Sequence, residues 1–280
     1  MRVLGSTRSR SGTLMLLAPS EAHVPGSFPA VDVNPKRHEE ILVQLQRLRG
    51  SVYLHDGAIT SDELSSDGRH ILGIDAASWH VVSVQPDGRV TGCARYRAYG
   101  SKTQPEHLTA WRSALASDRT WRGTLHMALE SEISLARKRQ VDYVEVGGWA
   151  ISEDMRFTLE AMNIALSTYA LARSIGGAIG LTTATVRNCS SRILRKIGGR
   201  SLGLPGCPLP SYFDPQYGCE MELLRFDSNA PNPKYQSRID DILSGFYELP
   251  VVCARAATGL VHAIERPQFM PLPGLREACA

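Results

Sequence analysis

The sequence predicts an α/β fold, and two stretches of the chain carry the prediction. Between residues 141 and 200, two runs of β-forming residues alternate with two helical runs. Such a β-α-β-α unit places its strands parallel to each other. Between residues 78 and 99, two further β-rich runs enclose the turn Pro86-Asp87-Gly88. An Asp-Gly turn between such runs is typical of an antiparallel hairpin.

The β-α-β-α unit is predicted to begin with a buried strand over 141–151. A polar turn leads into a long helix over 157–175, which Gly176-Gly177 ends. A second strand over 178–186 and a shorter helix over 188–197 follow. The long helix carries two apolar stripes, which indicate burial on most sides. They consist of Leu159, Met162, Leu166 and Tyr169, and of Ile164, Leu171 and Ile175.

The polar turn after the first strand carries the candidate chemistry. A helix N-terminus presents unpaired N–H groups and a partial positive charge, which suit a phosphate, and Arg156 adds a cation there. Glu153 lies at the end of the strand, where a general base could reach an incoming amine. Two structural interpretations stay open: Glu153 caps the helix, and Arg156 forms an exposed ion pair with Asp154 or Glu153.

The order of these elements, together with the pattern N-x-x-[AS]-x-x-L-x-x-x-G, resembles the GNAT acyltransferase superfamily. Asn188, Ser191, Leu194 and Gly198 match this pattern in register. The resemblance implies a GNAT-like α/β fold, in which a central mixed and twisted sheet has helices on both faces.

One branch of the superfamily is similar to the chain at the turn itself. The acyl-homoserine-lactone synthases and the N-acyl amino acid synthases carry Glu-x-x-Arg-Phe at this place, here Glu153, Arg156 and Phe157. The acetyltransferase loop Arg-x-x-Gly-x-[Gly/Ala] is incomplete, because Leu159 stands in place of its first glycine. Arg195 replaces the tyrosine that often acts as general acid. Both departures favour the synthase branch and argue against tight binding of coenzyme A by the usual loop.

The hairpin carries a second resemblance to the synthases. Asp75 lies just before its first strand, and Gly92-Cys93-Ala94-Arg95-Tyr96 ends its second. These residues are similar to the synthases' Asp before the hairpin and to their Gly-x-x-Arg. The resemblance implies catalytic roles for Asp75 and Arg95, and the alternative is that Arg95 is an ordinary surface residue.

The resemblance implies a reaction in which an amine attacks the carbonyl carbon of a thioester. Glu153 would accept the proton of the amine, directly or through a water, and Arg156 would bind a phosphate or the carboxylate of the acceptor. The pantetheine arm of the donor would lie between the two splayed parallel strands, and Phe157 would line the acyl channel unless it is a core residue. The candidate catalytic residues are Glu153, Arg156, Asp75 and Arg95. The candidate donor-binding residues are Ala150, Ile151, Arg156, Phe157, Thr158 and Asn188.

The donor would be an acyl-phosphopantetheine thioester, carried by acyl carrier protein or by coenzyme A, and no tightly bound cofactor is expected. Acyl carrier proteins are acidic, so a basic helix face is a candidate docking surface. A solvated basic face is the alternative. The residues concerned are Arg187, Arg192, Arg195, Lys196 and Arg200, with Arg137, Lys138 and Arg139 at the end of another helix.

The composition argues against several other classes of protein. A net charge of +3 is mild and does not suggest a nucleic-acid-binding protein. The six cysteines are scattered without a C-x-x-C pair, which favours a reducing cytoplasm over a disulfide framework. No apolar run approaches the roughly 20 residues of a membrane span. His55, His70 and His80 lack the spacing of metal ligands, so no metal site is predicted.

The chain as a whole is predicted to divide into an arm, a domain and an extension. Residues 1–36 mix Ser, Gly, Pro and Arg without periodicity, which indicates a flexible arm. Residues 37–228 would form the GNAT-like acyltransferase domain, and residues 229–280 a C-terminal extension packed on it or covering it. Further predicted elements are a helix with a basic outer face at 35–49, a strand fragment at 51–59, helices at 105–117 and 122–139, a strand at 219–226, a helix at 235–246 and a short apolar run at 248–254.

The predicted function is that of an N-acyltransferase. It would move a fatty acyl group from an acyl-carrier-protein or acyl-CoA thioester to the amine of an amino acid or related acceptor. Two alternatives stay open. An acetyl-CoA-dependent acetyltransferase would have a short, closed acyl pocket. A non-catalytic GNAT-like domain that binds an acyl thioester or a partner protein would lack a carboxylate facing the cleft.

Overall fold

The computed structural model describes residues 12–255 except 22, 23, 27, 101, 247, 249 and 250. Its strands are β1 (Thr13–Leu17), β2 (Val31–Val33), β3 (Trp79–Val84), β4 (Val90–Tyr99), β5 (Asp142–Ile151), β6 (Ala178–Thr185), β7 (Arg200–Ser201), β8 (Gly203–Leu204), β9 (Cys207–Pro208), β10 (Tyr212–Asp214), β11 (Cys219–Asp227) and β12 (Val251–Cys253). Its α-helices are α1 (Pro35–His55), α2 (Ala114–Ser117), α3 (Arg122–Arg139), α4 (Glu160–Ser174), α5 (Ser190–Ile197) and α6 (Gln236–Gly245).

One mixed sheet runs through the described part of the chain. Its strand order is β10-β11-β6-β5-β4-β3-β1-β12-β2, and β7 pairs with β11. β5 and β6 pair in parallel, because α4 crosses one face of the sheet between them. β3, β4 and β5 pair antiparallel in sequence order. The sheet is therefore mixed, as the resemblance to GNAT proteins implies.

Hydrophobic clusters cover both faces of the sheet. On one face, Val144 and Ala94 belong to the cluster that also contains the apolar residues of α4 and α6. On the other face, α3 packs over Tyr143 at one half of the sheet, and α1 packs over Cys93 at the other half. Alternate residues of β4 and β5 point to opposite faces, because the side chains of a strand alternate. The predicted α/β fold with helices on both faces is confirmed.

Several predicted elements differ from those of the structure. The strands of the arm lie within the sheet, so the prediction of a flexible arm is wrong for Thr13–Leu17 and Val31–Val33. The predicted strand fragment at 51–59 is wrong, because α1 continues to His55. Most of 105–117 consists of short turns, with α-helix only at Ala114–Ser117. These segments are short or weakly periodic, so tertiary contacts decide their conformation.

The C-terminal part packs against the rest of the chain. α6 contributes Ile239 and Ile242 to the cluster under α4, and β12 lies between β1 and β2 in the sheet. The boundaries of the predicted arm, domain and extension at 36 and 228 stay predictions. Residues 1–11 and 256–280 lie outside the described residues. Within the described residues, no helix combines the length and apolar character that a membrane crossing requires.

Candidate active site

The parallel strands β5 and β6 separate before they end. Their pairing stops at Val146 and Thr182, although β5 continues to Ile151 and β6 to Thr185. The pairing of β5 with β4 is irregular at the same point: Arg95 pairs with Gly147, while Cys93 pairs with Ala150. Two residues of β5 therefore oppose one of β4, which is a β-bulge and bends β5. The result is an opening between β5 and β6.

Glycine makes this bend in β5 feasible. Gly148, inside the bulge, has a φ of 61°, in the left-handed region that side-chain-bearing residues rarely adopt. A Cβ atom at Gly148 would lie 3.3 Å from the Cβ of Arg95 and 3.4 Å from Nη1 of Arg49. The Gly147-Gly148 pair thus lets two arginines approach the backbone of β5.

The turn between β5 and α4 begins at Glu153, which is exposed. Its neighbour Asp154 accepts hydrogen bonds from Arg89 at 2.8 Å and from Ser152 at 2.7 Å. These bonds lower the pKa of Asp154 to about 2. The carboxylate of Asp154 therefore pairs with Arg89. The predicted alternative, an ion pair between Arg156 and Asp154, is wrong.

Arg156 instead pairs with Asp56, which follows the last residue of α1. Its Nη2 donates to both carboxylate oxygens, at 3.0 and 3.2 Å. Asn188 donates to the same carboxylate at 3.2 Å, and Arg187 donates to the backbone carbonyl of Asp56. The residue at the end of α1 thereby joins the turn before α4 to the turn before α5. We call Asp56, Arg156, Arg187 and Asn188 the mouth cluster, because they lie where β5 and β6 end.

The other predicted donor-binding residues surround the same turn. Ala150 and Ile151 are buried in β5 opposite β4. Phe157 has a φ of 65° and is fully exposed, so its alternative assignment to the core is wrong. Thr158 accepts a hydrogen bond from the backbone N–H of Glu160, the first residue of α4, at 3.1 Å. The left-handed φ of Phe157 is not helical, so the helix begins three residues after its predicted start at 157.

Asp75 lies inside the protein rather than at the opening. Arg49 donates to both of its oxygens, at 3.0 and 2.6 Å. Gln46 and the backbone N–H of Leu72 each donate to one oxygen at 3.1 Å. Burial acts to raise the pKa of Asp75, but the hydrogen bonds and charge of Arg49 outweigh it and lower that pKa. Asp75 is therefore a charged carboxylate that accepts four hydrogen bonds, and it holds Arg49 in place.

Arg95 lies next to this pair and is only 8% exposed, so its alternative role as a surface residue is wrong. Its Nη1 is 3.7 Å from Oδ1 of Asp75, too far for a hydrogen bond. Burial, followed by the nearby charge of Arg49, lowers the pKa of Arg95. We call Arg49, Asp75 and Arg95 the interior cluster.

Two histidines and a thiol border the interior cluster. Burial lowers the pKa of His80 to about 4, and its Nε2 lies 3.0 Å from the backbone carbonyl of Asp75. His70, whose pKa is also lowered by burial, accepts a bond from Arg49 at its backbone carbonyl. Burial raises the pKa of the Cys93 thiol to about 11. These groups are uncharged near neutral pH, and no cluster of three or more metal-binding side chains occurs among the described residues.

The structure thus divides the predicted site residues between two places. Arg156 and Asn188 meet in the mouth cluster, whereas Asp75 and Arg95 meet in the interior cluster. Arg49 and Asp56 were not found from the sequence. Arg49 lies four residues after Leu45 on the apolar stripe of α1, and this position was the sequence signal for its burial. Asp56 gave none.

Known structures share this arrangement of strands and helices. The coenzyme-A-dependent acyl-homoserine lactone synthase BjaI, solved with SAM and isopentyl-CoA, matches with a TM-score of 0.50 and 15% identity, over 86% of this chain and 92% of that chain. The acyl-homoserine lactone synthase MesI matches with a TM-score of 0.50 and 12% identity, over 83% of this chain and 95% of its own. The chain has the acyl-homoserine lactone synthase fold.

The synthase fold confirms the resemblance that the sequence motifs predict. An N-acyl amino acid synthase from uncultured soil microbes, FeeM, also matches, with a TM-score of 0.44 and 10% identity, over 71% of this chain and 89% of that one. No protein-family model and no curated protein sequence matches the chain. The similarity therefore lies in the three-dimensional structure.

Proposed function

We propose that the protein is an N-acyltransferase that moves a fatty acyl group from a phosphopantetheine thioester to the amine of an amino acid or related acceptor. The observation that carries this proposal is the opening between β5 and β6, bordered by the arginines of the mouth cluster and by the buried arginines of the interior cluster. Cations at the mouth suit a phosphate, and the opening suits an extended pantetheine arm. The synthase fold is consistent with both.

The reaction needs one base and one leaving thiol. The amine nitrogen attacks the thioester carbonyl carbon, a C–N bond forms and the C–S bond breaks. The proton released by the amine passes to Glu153, directly or through a water, and the leaving thiolate takes up a proton. Glu153 suits this role because it is exposed at the end of β5, whereas Glu145 is buried and accepts bonds from Tyr99 and from the backbone of Thr109 and Ala110.

The phosphate of the donor would bind at the mouth cluster. Arg156 and Arg187 both direct guanidinium groups at Asp56, and a phosphate is the kind of anion that such a pair binds. Asp56 occupies this position in the structure. When the donor binds, its phosphate would therefore displace the carboxylate of Asp56 from Arg156.

A carrier protein would dock on α5 and the adjoining start of β7. Arg192 and Lys196 on α5 and Arg200 in β7 are exposed, while Arg195 is held by both oxygens of Glu222, at 3.1 and 3.0 Å. The basic residues at the end of α3 do not extend this surface. α3 packs in the cluster on the opposite face of the sheet from Ile197 of α5.

The first test is a direct assay with purified protein. Acyl-CoA and acyl-carrier-protein donors of short, medium and long chain are offered with the standard amino acids and with S-adenosylmethionine, and N-acyl products are measured by mass spectrometry. We expect a long-chain N-acyl product from the wild type. Glu153→Gln should lower kcat about 100- to 10,000-fold, the range of general-base catalysis, with an unchanged melting temperature.

Other outcomes separate the alternatives. A product from acetyl-CoA alone would point to an acetyltransferase instead. Thioester binding without any product would point to a non-catalytic binding domain. Full activity in Glu153→Gln would remove Glu153 as the base while leaving the transferase proposal intact.

A further inference from the structure

Exposed apolar side chains surround the mouth cluster. Nine large hydrophobic side chains are exposed among the described residues, and four of them lie within three residues of a member of this cluster. They come from the three segments that the cluster joins: the end of α1, the turn before α4 and the turn before α5. We call these four residues the apolar rim: Leu54, Phe157, Leu159 and Val186.

Two residues of the rim project from the turn before α4. Phe157 is fully exposed, and Leu159 is 73% exposed. The φ of 65° at Phe157 is a left-handed conformation that is costly for a residue with a bulky side chain. A single exposed apolar residue is common on protein surfaces, whereas a group of them around one opening indicates an interaction surface.

The segments that carry the rim have an excess of positive charge. Among residues 54–56, 152–159 and 186–200, all of them described, the carboxylates of Asp56 and Asp154 form ion pairs with arginines. Glu153 is the one exposed acid of these segments that forms no ion pair. Four exposed cations of the same segments form no ion pair within the described part of the chain: Arg187, Arg192, Lys196 and Arg200.

The arrangement of the rim favours a lipid surface over a protein partner. Its residues belong to three separate segments, and the polar mouth cluster lies between them. The rim is therefore not the continuous apolar face that a stable protein interface of about 800 Å² per partner requires. A bilayer is fluid and accommodates single projecting side chains, and its anionic headgroups attract nearby arginines and lysines.

We propose that the apolar rim inserts into the surface of a membrane that carries anionic lipid headgroups, so that the mouth of the opening between β5 and β6 faces the bilayer. Phe157 and Leu159 would enter the boundary between headgroups and acyl chains, while the unpaired cations contact the headgroup phosphates. This inference does not rest on the proposed acyl transfer. If the transfer takes place, its amphiphilic product would leave the opening beside the lipid.

Vesicle binding tests the proposal without any turnover. The purified full chain is sedimented with vesicles of phosphatidylcholine alone and with vesicles of equal parts phosphatidylcholine and phosphatidylglycerol. We expect binding to the mixed vesicles that weakens as the salt concentration rises, because salt screens the attraction between the cations and the headgroups. Binding to neither kind of vesicle would overturn the proposal, as would equal binding to both at low salt.

Variants then show whether the rim is responsible. The double substitution Phe157→Ser with Leu159→Ser should raise the Kd for mixed vesicles about 10- to 100-fold, since it removes two large side chains from the lipid. Val31→Ser with Val33→Ser, at exposed positions of β2, is the matched control and should bind like the wild type. The 21 residues of α1 separate β2 from the rim, a distance of about 30 Å.

The outcomes distinguish this inference from the proposed function. Unchanged vesicle binding by a folded double variant of the rim overturns the inference, and so does an equal loss in the β2 control. If the rim variant does not fold, the single substitution Leu54→Ser decides in the same way. If the rim variant instead loses only self-association or binding to acyl carrier protein, the rim is a protein interface and the inference is wrong. Vesicle binding through the rim without any N-acyl product leaves the inference standing while the proposed function fails.

Discussion

At the scale of single residues, buried charges determine what the interior can do. Arg49 is completely buried. Burial acts to lower its pKa, but the hydrogen bonds and the charge of Asp75 outweigh this effect and raise the pKa. Removing one partner of such a pair leaves an unpaired buried charge, which is costly. Asp75 and Arg49 thus form a rigid support beside Arg95, and their contribution to activity would come through the position of Arg95.

Glu160 is a second buried charge, in the first turn of α4. Burial raises its pKa above the ordinary 4.5, and its Oε1 has no hydrogen-bond partner within the described residues. A carboxyl group whose folded pKa is raised costs no stability below its unfolded pKa, and costs increasing stability as the pH rises through the folded pKa. Glu160→Gln, which is uncharged at every pH, should therefore melt higher than the wild type at pH 7.

This prediction is checked by thermal unfolding of both proteins at about pH 4, below the ordinary pKa of a glutamate, and at about pH 7, above it. The advantage of Glu160→Gln should appear at pH 7 and vanish at pH 4. Glu39→Gln, at an exposed position of α1, serves as the control and should show no such difference. An advantage of equal size at both pH values would mean that the pKa of Glu160 in the folded protein is not raised above its unfolded value.

At the scale of elements, the ends of α1, β5 and β6 build the site together. α1 ends at His55, so its next residue, Asp56, reaches both turns at the mouth. β5 bends through its bulge, which opens the gap toward β6. No one of these elements forms the site alone. The end of α1 supplies Asp56, and β5 and β6 border the opening.

The carboxylate of Asp56 competes with donor phosphate if both bind Arg156. Asp56→Asn should therefore lower the Kd of coenzyme A about three- to tenfold, which corresponds to about 1 kcal/mol, the net effect of one hydrogen bond. Arg156→Gln should raise that Kd by a similar factor. Calorimetric titration with coenzyme A measures both values.

Asp154→Asn is the control for this experiment, since Asp154 lies in the same turn but pairs with Arg89. It should leave the Kd of coenzyme A close to that of the wild type. A higher Kd in Asp56→Asn would show that Asp56 positions Arg156 for the ligand rather than competing with it.

At the scale of the whole molecule, segments from both ends of the described chain complete one sheet and one core. β1, β12 and β2 lie side by side, and Phe246 and Ile239 are buried in the cluster that also holds the residues of α4. The described residues after 228 therefore contribute to the core that supports the site.

A substitution in this part should destabilise the whole protein. Phe246→Ala removes a large buried side chain and should lower the free energy of unfolding by about 3 to 5 kcal/mol, in one cooperative transition measured by urea unfolding. Phe213→Ala, at an exposed position, should change it little. A separate early transition in Phe246→Ala would mean that the C-terminal part unfolds independently.

The sequence by itself determined the elements with strong local patterns. α3 has the predicted bounds of 122–139, and β5, β6 and β11 lie within a residue or so of their predicted bounds. Apolar periodicity and turn residues are local properties, so they can be read without the fold. The motif residues Glu153, Arg156 and Asp75 likewise led to the synthase resemblance, which the fold confirms.

Only the tertiary structure decided the partners of the charged residues. Arg156 meets Asp56 across 100 residues of sequence, and Arg95 meets Arg49 because the α1 helix packs over β4. A charge has no periodicity that reveals its partner, since its partner depends on which elements the core brings together. The sequence therefore named candidate site residues, while the packing of α1 on the sheet placed Arg156 at the mouth and Asp75 and Arg95 in the interior.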